Sequence, residues 1–596
     1  MVQSDAIHDL VIRNGLIIDG TGAEPRMGGV AIDGDRITAV GEVGAGRREI
    51  DAEGCWITPG FIDPHTHYDG QAIWSTRLDP SSAHGVTTVM MGNCGVGFAP
   101  CRASDHAALI NVMEGVEDIP GVVMAEGLDW DWETFPQYLD ALEARSRDVN
   151  VAVYLPHSPL RVYAMGARGA RREPATAQDL AKMRRLACEA VEAGAIGFAT
   201  SRVNFHRTAN GDRIPSFDAS RDELREIAAG VADAGGGLVQ VVLNPSDNGW
   251  SDELDIVFDV CRASGLPATF TFATSNGEDR NWENALAMVT AANAEGMRVT
   301  GQVFPRPIGM IFGYALSTNP FSLCPSYKEI AELPLGERVA RLRQPGLRDR
   351  ILSETPGEGH PLAMLARRWD WMFPMGDTPD YAPRLESSIG ARARSKGAAP
   401  EDLAYDMLLE KNGRALIYLA AGNFYKGTLD ELGTLLRDPA IVIGLGDGGA
   451  HYGIICDAGY PTFLLTYWVR DRDGARFVPA EAIRMLSARP AEMIGFTDRG
   501  VLAPGKQADV NVIDPDRLAL HALEIVNDLP TGSRRLNQEA SGYRATIVGG
   551  QPIAENGIPT GALPGRLIRR RGGSRRPASG VSGASPIGEP AYSAGD

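Results

Sequence analysis

At 596 residues the chain is too long for one hydrophobic core, so two or more domains are expected. A formal charge of −18 argues against nucleic acid and anionic membrane surfaces as partners. The hydrophobic share of 44% comes without any run of about 18 apolar residues, so no membrane span is expected.

The N-terminal ten residues show neither a basic nor an apolar signal segment. Seven scattered cysteines fit a reducing compartment better than a disulfide framework, so a cytoplasmic location is the expectation. Residues 9–60 then read as short strands: 10–13, 15–19, 30–32 and 37–40. They are broken at Asn14-Gly15, Asp19-Gly20 and Asp33-Gly34, which are strong turn dipeptides. The same texture returns at 508–513 and 543–548. The two segments, 1–60 and 500–571, are therefore expected to pair into one small β-sandwich domain.

Between them short apolar strands alternate with amphipathic helices, the pattern of an α/β fold. Eight strands are expected, at 61–65, 86–91, 151–155, 195–200, 238–243, 268–273, 299–304 and 441–445. Residues 177–194 and 282–296 read as helices stopped by Gly194 and Gly296. Eight such units point to a (β/α)8 TIM-like barrel over 61–499. A long insertion at about 306–440, with helices at 390–413 and 428–437, separates the last two strands as a candidate lid or subunit contact. Residues 572–596 read as a disordered tail rich in Arg, Gly, Ser and Pro.

His65 and His67 lie in Pro64-His-Thr-His-Tyr-Asp69, at the C-terminal end of the first barrel strand. Spacing i, i+2 on a strand sends both imidazoles to one face, where they can reach one metal ion. The C-terminal ends of barrel strands are where such folds keep their chemistry. Cys94, in Gly92-Asn-Cys-Gly95 after the second strand, is a candidate thiolate ligand. The eighth strand ends in Gly444-Leu-Gly-Asp-Gly-Gly-Ala-His451. Asp447 there can ligate a metal and also take a proton from metal-bound water, whose pKa a metal lowers to roughly 7. His157, Arg161, Arg202, His206 and His451 follow strand ends and are candidates for substrate contact or support of the ligands. The six lysines are at 182, 328, 396, 411, 426 and 506, none on an expected barrel strand. A carbamylated lysine bridging two metals is thereby disfavoured, and Cys94 is the candidate bridge.

These motifs resemble the amidohydrolase superfamily, and within it the D-aminoacylase (N-acyl-D-amino-acid deacylase) group. The resemblance runs to about Arg571 and includes Asn14-Gly-Leu-Ile-Ile-Asp-Gly-Thr-Gly22, the His-Thr-His segment, Gly92-Asn-Cys-Gly95, Gly446-Asp-Gly-Gly449 and Gly500-Val-Leu-Ala-Pro-Gly-Lys-Gln-Ala-Asp509. It implies a zinc-dependent hydrolase of amide C–N bonds on a barrel with a β-sandwich. His65, His67 and Cys94 would be ligands, and Asp447 ligand and catalytic acid/base. Two departures stand out. D-aminoacylases carry a metal-binding histidine on strands five and six, where this chain has Val242 and Phe272. Thr274 stands in place of the family's carboxylate-binding lysine, and no histidine occurs between His206 and His360.

The expectation is therefore one Zn2+, with two as the alternative. His157 or His206 is the substitute if a further ligand is needed. Metal-bound hydroxide would attack the amide of an N-acyl amino acid or similar small amide. The rival readings are a cyclic amide or lactone hydrolase on the same machinery, and a catalytically inactive small-molecule-binding relative. A homo-oligomer is compatible with all three.

Overall fold

The computed structural model describes residues 7–245, 249–276, 280–355 and 361–570. The tail expected at 572–596 lies outside the described residues.

The N-terminal strands His8–Ile17, Arg26–Asp33, Arg36–Gly41, Gly46–Asp51 and Trp56–Pro59 join Val510–Ile513, Tyr543–Val548, Gln551–Glu555 and Ile558–Pro559 in one nine-stranded sheet. The two ends of the chain meet where Val510–Ile513 runs antiparallel to Trp56–Pro59. Asn14-Gly15 does not end a strand as its sequence suggests. Asn14 takes a φ of 59° and the register with Arg26–Asp33 shifts between Ile12 and Gly15, so the dipeptide bulges one long strand instead of turning it. Asp33-Gly34 does turn the chain, between Arg26–Asp33 and Arg36–Gly41. Hydrogen bonding thus makes these strands one continuous sheet.

The middle of the chain supplies a parallel series. Phe61–Asp63, Val86–Met91 and Asn150–Val153 form one sheet. Leu155–Pro156, Gly197–Ser201, Leu238–Val242, Ala268–Thr271, Val299–Val303 and Ile441–Ile443 form another. Asn150–Val153 and Leu155–Pro156 are one strand interrupted at Tyr154, so the series has eight members at the eight expected places. Their residues are buried almost throughout, as befits strands covered on both faces.

Helices between the strands follow from local signals. Thr176 caps Ala177–Ala193 by accepting from the Asp179 N–H, and the Asp179 carboxylate accepts from the Thr176 N–H in return. Met183, Ala187, Ala190 and Val191 form its buried face, and Gly194 ends it at a φ of 121°. In His106–Glu117, Leu109, Val112, Met113 and Val116 recur at helical spacing and are buried. That helix ends at Asp118, whose φ is 49°.

The long connection before the eighth strand has its own core around Phe312, Tyr314, Tyr405 and Leu419. It carries a three-stranded antiparallel sheet of Ile308–Phe312, Leu416–Gly422 and Met372–Met375. Its expected helix at 390–413 is two, Ile389–Lys396 and Pro400–Gly413, divided at Gly397 with a φ of 62°. Asp509 clasps the sheet to the parallel strands through Arg499 Nη1 at 3.0 Å and Asn150 Nδ2 at 3.2 Å. Among the described residues no helix is long and apolar enough to cross a membrane.

Candidate metal centre

The sequence between Pro64 and Asp69 leaves the first strand with His65 and His67 at 2% and 1% exposure. Gln302, on the seventh strand and fully buried, places Oε1 2.8 Å from His65 Nδ1. An amide oxygen can only accept, so Nδ1 carries the proton and Nε2 presents its lone pair to the site. Cys94 is brought to the pair by a left-handed backbone, with φ of 77° at Gly92, 56° at Cys94 and 67° at Gly95. A Cβ on Gly95 would stand 2.7 Å from Thr200 Cα and 2.9 Å from Ala199 O, so only glycine lets this loop lie against the fourth strand. The Cys94 N–H donates to Gln240 Oε1 at 3.0 Å.

Three donor atoms converge, and a fourth stands beside two of them. His65 Nε2 is 3.3 Å from Cys94 Sγ, and Cys94 Sγ is 3.7 Å from His67 Nε2. Asp447 Oδ1 is 3.7 Å from both Nε2 atoms. An ion in tetrahedral coordination, with bonds of about 2.0–2.3 Å, holds its ligands roughly 3.3–3.7 Å apart. His65, His67 and Cys94 therefore fit such an ion by spacing as well as by chemistry, and Asp447 stands beside the two imidazoles.

The electrostatics fit as well. Burial pushes His65 down to about 4 and His67 well below its ordinary value, so both rings are neutral. Burial also raises the Cys94 thiol, with Glu117 and Asp447 adding to the rise, and it raises Asp447 well above the usual carboxylate range. A cation among these groups would draw Cys94 and Asp447 back down and would keep both imidazoles deprotonated.

Glu117, at 1% exposure, ends its helix beside the cluster. Oε1 is 3.4 Å from His67 Nδ1, and Oε2 is 3.3 Å from His451 Nε2. His451 stands in the loop after the eighth strand, 6.3 Å from His67 between ring centroids. His206 bonds Ser201 Oγ through Nδ1 at 2.9 Å, and its pKa falls to about 3 through burial, with His451 and His65 as repelling neighbours.

The other sequence candidates have partners elsewhere. His157 is fully buried, with Nδ1 2.8 Å from Thr200 Oγ1 and Nε2 3.0 Å from Glu223 Oε1. Arg161 Nη1 lies 2.8 Å from both oxygens of the same Glu223. Arg202 pairs with Glu253 at 2.9 and 3.2 Å. Val242 and Phe272 are packed apolar residues, Phe272 against Trp250 at 5.0 Å. Thr274 is tied through its N–H to Asn423 Oδ1 at 2.8 Å, at the end of the insertion's sheet.

Glu117, Gln240 and Gln302 were not candidates in the sequence. For the two glutamines a signal existed, since each interrupts an apolar strand where a buried amide must find a partner.

A family model described as "Amidohydrolase family" matches residues 48–554. A D-aminoacylase of Alcaligenes xylosoxydans xylosoxydans is 26% identical over 579 residues, covering 96% of this chain and 99% of its own. An N-acyl-D-glutamate deacylase of the same organism is 27% identical over 578 residues, covering 94% and 96%. Among solved structures, the N-acyl-D-glutamate deacylase of Bordetella bronchiseptica, complexed with zinc and a phosphonate mimic of the tetrahedral intermediate, superposes with a TM-score of 0.63. It is 24% identical, covers 95% of this chain and 100% of its own, and shares the fold.

Proposed function

The chain belongs to the amidohydrolase family as a D-aminoacylase-like hydrolase of carbon–nitrogen bonds, and from that premise we propose that it cleaves an N-acyl amino acid or similar small amide at the cluster of His65, His67, Cys94 and Asp447. The observation that carries this reading is the grouping of the His65, His67 and Cys94 donor atoms within 4.8 Å of one another, with Asp447 Oδ1 3.7 Å from both imidazoles. His65 and His67 would hold the ion through Nε2, Cys94 through Sγ and Asp447 through Oδ1. Mixed imidazole and thiolate donors favour zinc, and zinc there would acidify the attacking water and polarise the scissile carbonyl.

Asp447 takes the proton of the attacking water on its carboxylate and delivers it to the leaving nitrogen. Its carboxyl is the part of the cluster open to solvent, at 21% exposure, which suits a group that meets substrate. Gln302 keeps His65 Nε2 deprotonated, and Gln240 holds the Cys94 loop. His206 and His451 border the same space and are assigned substrate contact. One ion is favoured, because Val242 and Phe272 offer no donor. The same reading closes the eight strands into a (β/α)8 barrel over 61–499. It is supported by the Asp447 N–H to His65 O bond at 3.1 Å and the His67 N–H to Gly448 O bond at 2.8 Å, which tie the last strand's end to the first.

The test is amine release by purified protein from N-acyl-D- and N-acyl-L-amino acids, beside cyclic amides and lactones. Turnover of an N-acyl amino acid is expected, lost on chelation and restored by zinc. It should fall about 10²–10⁴-fold in Asp447→Asn. Turnover confined to cyclic amides or lactones would move the substrate class and keep the machinery. Turnover indifferent to both chelation and Asp447→Asn would contradict the reading.

A further inference from the structure

We propose that Glu117 is a positioning residue that anchors His67 and the mouth histidine His451 together, one carboxylate oxygen to each ring. The inference rests on the metal-centred reading above and adds a residue to it. Both Glu117 oxygens and His67 Nδ1 are buried with no partner in full hydrogen-bond geometry. These orphaned atoms face one another, at 3.4 Å from Oε1 to His67 Nδ1 and 3.3 Å from Oε2 to His451 Nε2. Leaving a buried carboxylate without donors costs several kcal/mol, so the two imidazole N–H groups are its natural partners.

The consequences for the two rings differ. With Nδ1–H given to Glu117, His67 turns its Nε2 lone pair toward Cys94 Sγ and Asp447 Oδ1, each 3.7 Å away. With Nε2–H given to Glu117, His451 keeps its lone pair on Nδ1, a buried nitrogen without a protein partner. That nitrogen is the one left to accept a proton or hydrogen bond from substrate.

The backbone supports the same link. The His451 N–H donates to the Glu117 carbonyl, and His451 itself sits at a φ of 53°. One residue on, Asp118 Oδ2 accepts from the Gly453 N–H at 2.9 Å and from Ser317 Oγ at 3.2 Å. The end of this helix thus holds the loop after the eighth strand at several points, and it joins that loop to the insertion.

Zinc titration of the full-length, metal-free protein against a chromogenic chelator tests the proposal. Glu114→Gln, on the exposed side of the same helix, serves as the control. In Glu117→Ala the zinc dissociation constant should rise about 10–100-fold. Glu117→Gln, which keeps an acceptor oxygen for His67 Nδ1, should show a smaller rise. Glu114→Gln should leave it unchanged. At saturating cobalt the thiolate charge-transfer band of Cys94 should persist in Glu117→Ala, because a ring has lost its support while the fold remains. Wild-type zinc affinity in Glu117→Ala would overturn the proposal. Loss of the cobalt band would overturn it too, since Glu117 would then hold the fold of the site instead of one ring. A wild-type protein that binds no zinc would sink the metal-centred reading itself and this inference with it.

Discussion

Burial lowers His65, His67 and His84 alike, and His84 shows the effect away from the metal-ligand cluster. It is fully buried just before the second strand, with Nδ1 2.8 Å from Thr462 Oγ1 and Nε2 2.9 Å from Gln538 O. Burial pushes it down to about 4. An unfolded histidine takes its proton near 6.5, so between pH 6.5 and 4 the unfolded chain binds more protons than the folded one. Stability contributed by His84 is therefore present above pH 6.5 and is lost as pH falls toward 4. At about 1.36 kcal/mol per unit the loss is on the order of 3 kcal/mol. Urea unfolding at pH 7 and pH 4.5 should show a smaller difference in His84→Gln than in the wild type, and an unchanged difference would refute the assignment.

His65 and His67 are legible in the sequence because strand periodicity alone sends both to one face. Cys94 and Asp447 are legible through the glycines that flank them. Glu117 is silent in sequence, since it ends an ordinary amphipathic helix, and only the docking of that helix brings its carboxylate to His67 and His451. His157 and Arg161 show the opposite limit: both follow a strand end, yet a buried carboxylate from the helix after the fourth strand, Glu223, engages them.

Strands and helices of the parallel series were readable because apolar runs bounded by glycine and proline leave few alternatives. The turn dipeptide Asn14-Gly15 misled because pairing across a whole sheet outweighed its local preference, and a bulge absorbed it. The loop of Gly92 to Gly95 is the element on which the site depends most closely. Gly95 has a φ of 67°, and any Cβ there would press on Thr200 Cα and Ala199 O of the fourth strand. Gly95→Ala should therefore cost about 1–3 kcal/mol in denaturant unfolding and weaken metal binding by displacing Cys94. A variant with wild-type stability and wild-type metal affinity would show that the left-handed loop is not what places Sγ.

The molecule as a whole is bracketed by its own ends: residues 8–59 and 510–559 build one sheet, and the buried Arg499–Asp509 pair fastens it to the parallel strands. The pairing was legible from two β-rich segments, whereas the three-stranded sheet inside the insertion was not, because its strands lie far apart in the chain and their partners are fixed only in the folded state. The proposed site holds one divalent cation among the two imidazoles and the thiolate, with the Asp447 carboxylate beside them. Metal analysis of zinc-saturated protein, paired with the cobalt spectrum of the wild type and Cys94→Ala, tests it most directly. The account predicts one tightly held ion per chain and a thiolate band that Cys94→Ala abolishes. Two tightly held ions, or a spectrum that Cys94→Ala leaves intact, would contradict it.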